Sequence, residues 1–511
     1  MTDDTTTPAI HCGDRSRTHA EARVRAARLA SGLRALGVGP GDRFALVLRN
    51  EIEFLEATMA AAPLGAVPVP VNWHWTGADL EHLLHDSGAR VVLVHTDLLP
   101  AVEKYATEGT TLVEVATTPA LEAAYGLGTH GLSGRHRTLE ELVAEHDPIA
   151  EPVTDPPLGL IYSSGTTGLA KGILREPMAP AAVQSVAKVV SVIFGLGPGA
   201  RTLVTAPMYH TAPNVQATFA VALGLDVHVM AKFEPEAALR QIEAHRISSA
   251  QMVPTMFLRL LRLPDEVRDG YDTSSLTTLI HAAAPCPPAV KKAMIDWLGP
   301  VVSEFYGGSE GGIWTYCTSA DSLTHPGTVG RAYGGAEIRV LGVDDAPVPA
   351  GESGVIYGKP VDGWPDFTYL NDPEKRRAIE RDGCITVGDI GHLDADGFLY
   401  LSDRLNDVIV AGGVNIYPAE IEAVILELET VADVAVFGIP DEDLGEAVCA
   451  HVEPRPGATP TEAEVQAHVR ARLATYKTPR RVVLDHHLPR EDSGKLFKRR
   501  IKATYWPETT R

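Results

Sequence analysis

The alternation of short apolar runs with helical stretches constrains the fold of this chain more than any other feature. Runs such as "RFALVLRN", "AVPVPVN", "RVVLVH", "LGLIYSS", "RTLVTAP", "DVHVMA" and "LTTLIHAAAP" are rich in β-branched residues and are separated by segments with helical spacing. This alternation is typical of parallel α/β sheets, in which ligands bind beyond the carboxyl ends of the strands. We therefore predict a large doubly wound α/β domain in the amino-terminal part of the chain.

The pattern changes past residue 335. Short strands joined by Gly and Asp turns, as in "GESGVIYG" and "DADGFLYLSDR", indicate a small antiparallel region. The segment "DVIVAGGVNIYPAEIEAVILEL" then begins a compact α+β unit of roughly a hundred residues, which is an ordinary size for a small domain. A chain of 511 residues also exceeds the usual size of one hydrophobic core. We place the domains at residues 1–403 and 404–511, with a hinge near residues 403–407.

The charge balance limits the possible partners. The chain has 66 acidic and 45 basic residues, and its net charge of -21 repels nucleic acid and anionic membranes, so an anionic ligand needs local donors. The five cysteines are scattered and lack metal-binding spacing, which indicates reduced thiols. The acidic, polar start is unlike a signal peptide, and no apolar run reaches membrane-spanning length. We expect a cytoplasmic protein without membrane insertion.

The stretch "YSSGTTGLAKG" follows an apolar run and has the composition of a phosphate-binding loop. It combines hydroxyl donors, glycines that allow tight turns and one lysine charge. The Walker spacing is absent, because Gly165 is followed by Ala170, Lys171 and Gly172 in the wrong register. A plain Ser/Gly-rich surface loop is the alternative. The candidate phosphate contacts are Ser163, Ser164, Gly165, Thr166, Thr167, Gly168 and Lys171.

This stretch resembles the phosphate loop of the adenylate-forming enzymes, the superfamily of acyl-CoA synthetases, luciferases and peptide-synthetase adenylation domains. Four further stretches follow in the order of that superfamily, namely "APMYH" at 206–210, "YGGSEGG" at 306–312, "TVGD" at 386–389 and "PREDSGKLFKR" at 489–499. The resemblance therefore extends over nearly the whole chain. It implies ATP, Mg²⁺ and coenzyme A as cofactors and a carboxylic acid as substrate.

The resemblance also implies roles for residues that alone would be read as turn formers. Tyr306 would lie against the base, Ser309 would face the α-phosphate, and Glu310 would bind Mg²⁺ together with Thr166. Asp389 would accept hydrogen bonds from the ribose hydroxyls, with help from Arg404 at the domain boundary. The remaining candidates for nucleotide contact are Ala283, Ala284, Pro285, Gly307 and Gly308. For the stretch "HAAAP", ordinary tight packing is the alternative.

Catalysis in such a site would depend on alignment and charge. By the resemblance, Lys495 bridges the carboxylate of the acid and the α-phosphate, and His210 shapes the entrance for the acid. The catalytic candidates are Lys495, Glu310, His210 and Thr166. A lone histidine is more often structural, and the basic run after Lys495 could be a solvated helix face.

The small domain would turn between the two half-reactions in such an enzyme. Gly412 and Gly413 would then line the tunnel for the thiol of coenzyme A. Asn406 stands at the hinge position where relatives usually carry Asp or Lys, and Ala170 stands where many carry Pro.

Three functions fit this pattern. The first is an acid:CoA ligase, active as a monomer or homodimer in fatty-acid or secondary metabolism. The second is a free-standing enzyme that loads an acyl carrier protein, and the third is a non-catalytic nucleotide sensor of the same fold. The expected acid is bulky or multi-ring, because small residues recur among the pocket candidates His210, Asn214, Ala282, Gly308, Gly311 and Trp314.

Overall fold

The computed structural model describes residues 7–149, 159–163, 170–405, 407–412, 414–490, 496 and 498–506. The strands of this described part are β1 Ala9–Cys12, β2 Arg15–Thr18, β3 Arg43–Val47, β4 Val67–Pro70, β5 Val91–His95, β6 Thr111–Val115, β7 Arg137–Thr138, β8 Leu160–Ser163, β9 Lys171–Arg175, β10 Arg201–Val204, β11 Asp226–Val229, β12 Ser249–Met252, β13 Thr278–His281, β14 Val302–Gly308, β15 Gly312–Cys317, β16 Arg331–Ala332, β17 Glu337–Leu341, β18 Gly354–Lys359, β19 Phe367–Tyr369, β20 Glu380–Arg381, β21 Cys384–Leu393, β22 Leu399–Arg404, β23 Ile409–Ala411, β24 Val414–Ile416, β25 Val431–Asp441, β26 Gly445–Pro454 and β27 Arg481–Leu484.

The α-helices of the described part alternate with these strands. They are α1 His19–Ala35, α2 Ile52–Leu64, α3 Ala78–Ser87, α4 Leu99–Tyr105, α5 Pro119–Tyr125, α6 Leu139–Glu145, α7 Val183–Phe194, α8 Thr211–Ala222, α9 Pro235–His245, α10 Pro254–Leu261, α11 Asp265–Arg268, α12 Pro288–Leu298, α13 Ser319–Thr324, α14 Pro373–Ala378, α15 Pro418–Ile425, α16 Glu462–Arg470 and α17 Lys498–Lys502. Short 3₁₀ turns span Pro180–Ala182 and Thr475–Lys477. Within the described ranges, no helix combines the length and the apolar character needed to cross a membrane.

Two sheets form the framework of the amino-terminal part. In the described residues, the larger sheet has the order β16-β15-β14-β13-β12-β10-β11-β1-β2, and its strands from β14 to β1 pair in parallel. The second sheet, β4-β3-β5-β6-β7, is parallel throughout. One apolar core, which includes the fully buried Leu29, Phe44 and Val227, joins the two sheets through α1 and α2. The predicted doubly wound α/β architecture is confirmed.

One strand departs from the expected arrangement. The run "LGLIYSS" was expected among the parallel strands, but β8 pairs antiparallel with β9, and β9 pairs antiparallel with β19. The residues of β19 lie far along the chain from those of β9, so the local sequence contains no signal for this pairing. The candidate phosphate loop therefore connects two antiparallel strands.

The predicted antiparallel region is also present. Strands β17, β18, β21 and β20 form an antiparallel sheet, and β22 pairs with β21. The stretch "DADG" makes the turn between β21 and β22, where Asp394 accepts hydrogen bonds from the backbone N–H groups of Asp396 and Phe398. Beyond Arg404, a sheet of order β24-β23-β26-β25 with β27 beside β26 packs with α15 and α16 around its own core.

Candidate active site

The two ends of the candidate phosphate loop are fixed by strand pairing. Ser163 at the end of β8 and Lys171 at the start of β9 are direct cross-strand partners. Lys171 is half-buried, and burial together with the nearby ammonium of Lys375 lowers its pKa. Its Nζ lies 5.5 Å from the ring centre of Tyr369. Residues 164–169 lie outside the described residues, and they include the candidates Ser164, Gly165, Thr166, Thr167 and Gly168.

The turn between β14 and β15 presents Ser309 and Glu310 beside this lysine. The register of the two strands shifts between Tyr306 and Gly307, which marks a bulge. A Cβ on Gly307 would lie 1.9 Å from the carbonyl oxygen of Gly312, so glycine is required there. A Cβ on Gly308 would lie 2.8 Å from Val387. The glycines of "YGGSEGG" thus allow the tight turn that places the serine and the glutamate.

Arg175 fixes this turn through hydrogen bonds to its backbone. The sequence did not indicate this residue. Its guanidinium donates to the backbone carbonyls of Ser309 and Glu310, the latter at 3.0 Å, and to the carbonyl of Pro365 at 3.0 Å. Burial lowers the pKa of Arg175 to about 10, so the side chain remains a cation at neutral pH. The one available sequence signal was its position four residues after Lys171, at the end of β9.

The side chain of Glu310 turns toward Lys171. Its Oε1 accepts a hydrogen bond of 3.2 Å from the hydroxyl of Tyr369. Burial raises the pKa of this tyrosine, and the charge of Glu310 raises it further, so the phenol stays protonated and donates. The tyrosine therefore contacts both the candidate phosphate-binding lysine and the candidate metal-binding glutamate.

A second carboxylate, that of Asp389 on β21, lies in contact with Tyr306 near the end of β14. The hydroxyl of Tyr306 donates to Asp389 Oδ2 at 2.8 Å, and Arg404 Nε lies 3.4 Å from Oδ1. Asp389 and Arg404 are cross-strand partners in the β21–β22 hairpin, which accounts for their proximity. Burial raises the pKa of Asp389, although Arg404 and Tyr306 oppose this effect. The structure thus brings together the three residues that the sequence assigned to base and ribose.

The segment after β13 lies at the same edge of the large sheet. Because β13 and β14 are parallel neighbours, with His281 paired to Glu304, the residues that follow β13 emerge beside Tyr306. Ala283 has φ +74°, a left-handed conformation that is unusual for a residue with a side chain. Ala283, Ala284 and Pro285 are exposed, unlike the packed residues of a tight turn.

His210 reaches the same region through α8. It precedes the first turn of this helix, and its ring lies against that of Tyr209, tilted by 49° with centroids 4.3 Å apart. The next residue, Thr211, shares a hydrogen bond of 2.7 Å with the hydroxyl of Ser309. The start of α8 is therefore joined to the Ser309–Glu310 turn.

Lys171, Ser309, Glu310, Tyr306 and Asp389 together define a region that we call the crevice. Trp314 does not line it. Its fully buried indole packs in the core of the small antiparallel region, edge-on to Tyr306 with centroids 5.6 Å apart. Because successive side chains of a strand point to opposite faces, the neighbouring Ile313 faces the core of the α/β part instead. The prediction of Trp314 as a pocket residue was therefore wrong.

Two family models match the chain. The model of the AMP-binding enzyme covers residues 3–359, and that of the AMP-binding enzyme C-terminal domain covers residues 420–495. The chain belongs to the AMP-binding enzyme family. The resemblance to adenylate-forming acyl-CoA synthetases is thereby confirmed.

Curated relatives of this AMP-binding enzyme are ligases. The long-chain-fatty-acid–CoA ligase FadD13 of Mycobacterium tuberculosis is 31% identical, over 96% of this chain and 93% of its own. The 3-[(3aS,4S,7aS)-7a-methyl-1,5-dioxo-octahydro-1H-inden-4-yl]propanoyl:CoA ligase of the same organism is 33% identical, over 97% and 95%. The fatty acid–[acyl-carrier-protein] ligase ScoC of Streptomyces coeruleorubidus is 29% identical, over 99% and 95%. Ligation of activated acids is thus common to these relatives.

Solved structures have the same fold. ATP-bound MatB from Rhodopseudomonas palustris superposes with a TM-score of 0.82 at 27% identity, covering 98% of this chain and 96% of its own. The α/β fold with its carboxyl-terminal unit is therefore that of adenylate-forming enzymes.

The remaining candidates belong to the carboxyl-terminal part of this AMP-binding enzyme. Gly412 has φ +58°, and its N–H donates to the carbonyl of Leu444 at 2.8 Å within that unit. Lys495, Gly413 and Asn406 lie outside the described residues. At the boundary, Asp403 accepts a hydrogen bond of 2.8 Å from the N–H of Ala419.

The site offers chemistry that fits ATP, Mg²⁺ and coenzyme A. Glu310 presents a hard carboxylate oxygen, and Mg²⁺ in nucleotide sites is usually held by one or two carboxylates and the phosphates themselves. Lys171 would supply a cation for the phosphates. Near Gly412, the backbone has no Cβ to obstruct a narrow thiol arm. The described residues therefore fit these groups.

Proposed function

We propose that the protein is an AMP-forming acid:CoA ligase. It would join a carboxylic acid to ATP as an acyl-adenylate, release pyrophosphate, and transfer the acyl group to coenzyme A with release of AMP. The observation that carries the proposal is the convergence of Lys171, Glu310 and the Tyr306–Asp389 pair on one crevice. A family fold alone would not indicate retained activity, whereas this set of charged side chains does.

The first half-reaction requires alignment rather than a general base. A carboxylic acid is already ionised near neutral pH, so its oxygen can attack the α-phosphorus directly. Lys171 would neutralise phosphate charge, and Ser309 would donate to the α-phosphate from a turn that Arg175 keeps rigid. Lys495 would bridge the two reacting groups. Mg²⁺, held by Glu310 and Thr166, would supply further neutralisation of the phosphates.

The nucleoside would be oriented by the buried carboxylate. The ribose hydroxyls would donate to Asp389, while Tyr306, fixed by its own hydrogen bond to this aspartate, would lie against the base. Ala283, Ala284 and Pro285 would offer exposed backbone to the adenine from the adjacent strand end. His210, on the far side of Ser309, would border the acid.

The second half-reaction would require a turn of the small domain. We propose domains at residues 1–403 and 404–511, with residues 403–407 as the hinge. The separate apolar core of the carboxyl-terminal unit supports this division. Gly412 and Gly413 would then line the entrance of the thiol. The five free cysteines agree with a reducing, cytoplasmic environment.

We propose a bulky or multi-ring acid as substrate. Ala282, Gly308 and Gly311 carry no large side chain of their own, and Val387 and Trp314 pack against the two glycines. The indenyl-propanoyl:CoA ligase among the relatives supports this choice. An acyl carrier protein is the second candidate acceptor, because ScoC carries that name at 29% identity.

The test uses the purified protein with ATP, Mg²⁺, coenzyme A and acids from acetate through fatty and aryl acids to steroid and diterpenoid acids. Pyrophosphate and acyl-CoA are followed separately. We expect both products with a bulky acid, and loss of both in Lys495→Ala but not in the control Lys292→Ala, whose ammonium pairs with Asp296 on the surface of α12. Pyrophosphate without acyl-CoA would favour a carrier protein. Formation of neither pyrophosphate nor acyl-CoA with any of the acids, while ATP still binds, would favour the nucleotide sensor.

A further inference from the structure

A cluster of two histidines and one aspartate lies where β1 meets β11, apart from the crevice. His11 and His228 are direct partners across these parallel strands. Asp226 lies two residues before His228, and alternate residues of a strand share a face. The register therefore places all three side chains on one face of the sheet, while Ile10 and Val227 face the core on the other.

The three side chains converge on one point. His11 Nε2 lies 2.9 Å from Asp226 Oδ1, and His228 Nε2 lies 3.4 Å from Asp226 Oδ2. Ligand atoms of all three residues lie within 4.8 Å of one another. In tetrahedral zinc sites, bonds of about 2.0 Å place neighbouring ligand atoms about 3.3 Å apart. The spacing of the cluster is thus close to that of a coordination shell.

Burial fixes two of the ligands and leaves an approach at the third. The side chain of His228 is 4% exposed, that of Asp226 is 16% exposed and that of His11 is 32% exposed. The rings of His11 and His228 stack with centroids 4.5 Å apart, which keeps them parallel. Such a preformed arrangement reduces the ordering that binding would require.

The carboxylate of Asp226 is surrounded by polar groups. Besides its contacts with His11 and His228, its Oδ1 accepts a hydrogen bond of 3.1 Å from the backbone N–H of Ala9. One nearby group opposes a cation: Arg201 Nε lies 3.8 Å from Asp226 Oδ2. Its side chain is 36% exposed and can turn toward water.

We propose that His11, Asp226 and His228 form a zinc-binding site, completed by water. Two imidazoles and one carboxylate are a ligand set that suits Zn²⁺, whereas Mg²⁺ and Ca²⁺ prefer oxygen ligands alone. His245, whose ring centroid lies 4.4 Å from that of His228, borders the site. The bound ion would link β1 to its neighbour β11 near one edge of the large sheet, apart from the residues assigned to the reaction.

The test is a calorimetric titration of Zn²⁺ into the full-length protein after removal of metal with a chelator. We expect about one equivalent to bind, a rise in Tm, and no competition from excess Mg²⁺. His11→Asn and Asp226→Asn should each weaken binding at least about tenfold, because each removes one of three ligands. His85→Asn, which changes an exposed histidine on α3, is the matched control and should bind as the parent does.

The choice of variants separates loss of Zn²⁺ binding from loss of folding. His228 is buried, so His228→Asn could impair folding, and the partly exposed His11 provides the variant that reports on the site alone. Arg201→Gln should strengthen Zn²⁺ binding, since it removes the opposing charge. Absence of binding in the parent protein, or unchanged binding in the His11→Asn and Asp226→Asn double variant, would overturn the proposal.

Discussion

Asp389 at the crevice and Asp226 at the β1–β11 junction are both aspartates of β-strands, yet their surroundings shift their pKa values in opposite directions. Burial raises the pKa of Asp389, and its described donors are one phenol and one half-exposed guanidinium. Two imidazoles and a backbone N–H lower the pKa of Asp226 in spite of burial. The first carboxylate thus has fewer described hydrogen-bond donors than the second, which agrees with the proposal that Asp389 accepts hydrogen bonds from a ligand.

The backbone differs in the same way. Residues of the crevice lie on irregular segments, namely the bulge at Tyr306 and Gly307 and the left-handed conformation of Ala283. The residues around Asp226 lie on regular paired strands, where register alone brings them together. Strain of this kind costs free energy and is retained where function requires it. The predictions below test whether the crevice depends on irregular backbone and on a carboxylate with few hydrogen-bond donors. They also test whether the His11–Asp226–His228 cluster depends on neither.

The largest effect is expected from Gly307→Ala. The new Cβ would lie 1.9 Å from the carbonyl oxygen of Gly312, so the bulge must open and the Ser309–Glu310 turn must move. We expect a loss of about 100-fold or more in kcat/KM for ATP, since misplacement of aligned groups by about 1 Å has effects of that size. Pyrophosphate release measures the loss, and circular dichroism checks the fold. Gly128→Ala, which meets no atom within 4 Å, is the control.

Replacement of Arg175 should have the next largest effect. Lysine keeps the charge but cannot donate to three carbonyls at once, and methionine removes both properties. We expect a loss of about 10-fold in kcat/KM for Arg175→Lys and a larger loss for Arg175→Met, with a higher Mg²⁺ concentration for half-maximal rate because Glu310 shifts. An unchanged Mg²⁺ dependence in both variants would show that the arginine only supports packing.

Exchanging each aspartate for asparagine should separate the two regions. Asp389→Asn removes a carboxylate whose ionised form is penalised by burial, so we expect an equal or higher Tm near neutral pH together with a KM for ATP raised about 10-fold. Asp226→Asn should lower Tm and leave the KM for ATP unchanged, because it removes a well-supplied carboxylate far from the nucleotide. Equal changes in Tm for the two variants would contradict the comparison.

Much of the fold follows from local sequence. Thr18 and Glu21 form a capping box at the start of α1, and Asp394 makes the turn that the stretch "DADG" predicts. These elements depend on side chains that contact their own neighbours in sequence. The antiparallel pairing of β9 with β19 could not be predicted in this way, since it depends on residues almost two hundred positions apart.

The residues of the site also differ in whether local sequence could predict them. Glycines, hydroxyls and lysine in "YSSGTTGLAKG" and "YGGSEGG" indicated the crevice because they change the local backbone or its charge. Arg175 was missed because its acceptors lie 134 and 135 residues away, and an isolated arginine at a strand end has no signature. The two faces of β15 pack against different cores, that of the small antiparallel region and that of the α/β part. The alternation of side chains does not show which of the two cores contains Trp314. His11 and His228 likewise meet only through strand order.

The smallest expected effect is a difference in acid stability between the two aspartates. Because the pKa of Asp226 is lower in the folded state than its ordinary value of 3.8, its stabilisation is fully present above that value and is lost as the pH falls. The pKa of Asp389 is raised, so its ionisation destabilises the fold as the pH rises from 3.8 through the raised value. We therefore expect the Tm difference between parent and Asp226→Asn to stay constant from pH 6 to about pH 4 and to shrink on acidification below 3.8. The advantage of Asp389→Asn over the parent should grow as the pH rises from 3.8 through the raised pKa of Asp389. Thermal unfolding in buffers with chelator, so that bound metal does not contribute, measures both differences. Parallel pH profiles for the two variants would show that the carboxylates are alike, and the crevice would then owe its character to backbone geometry alone.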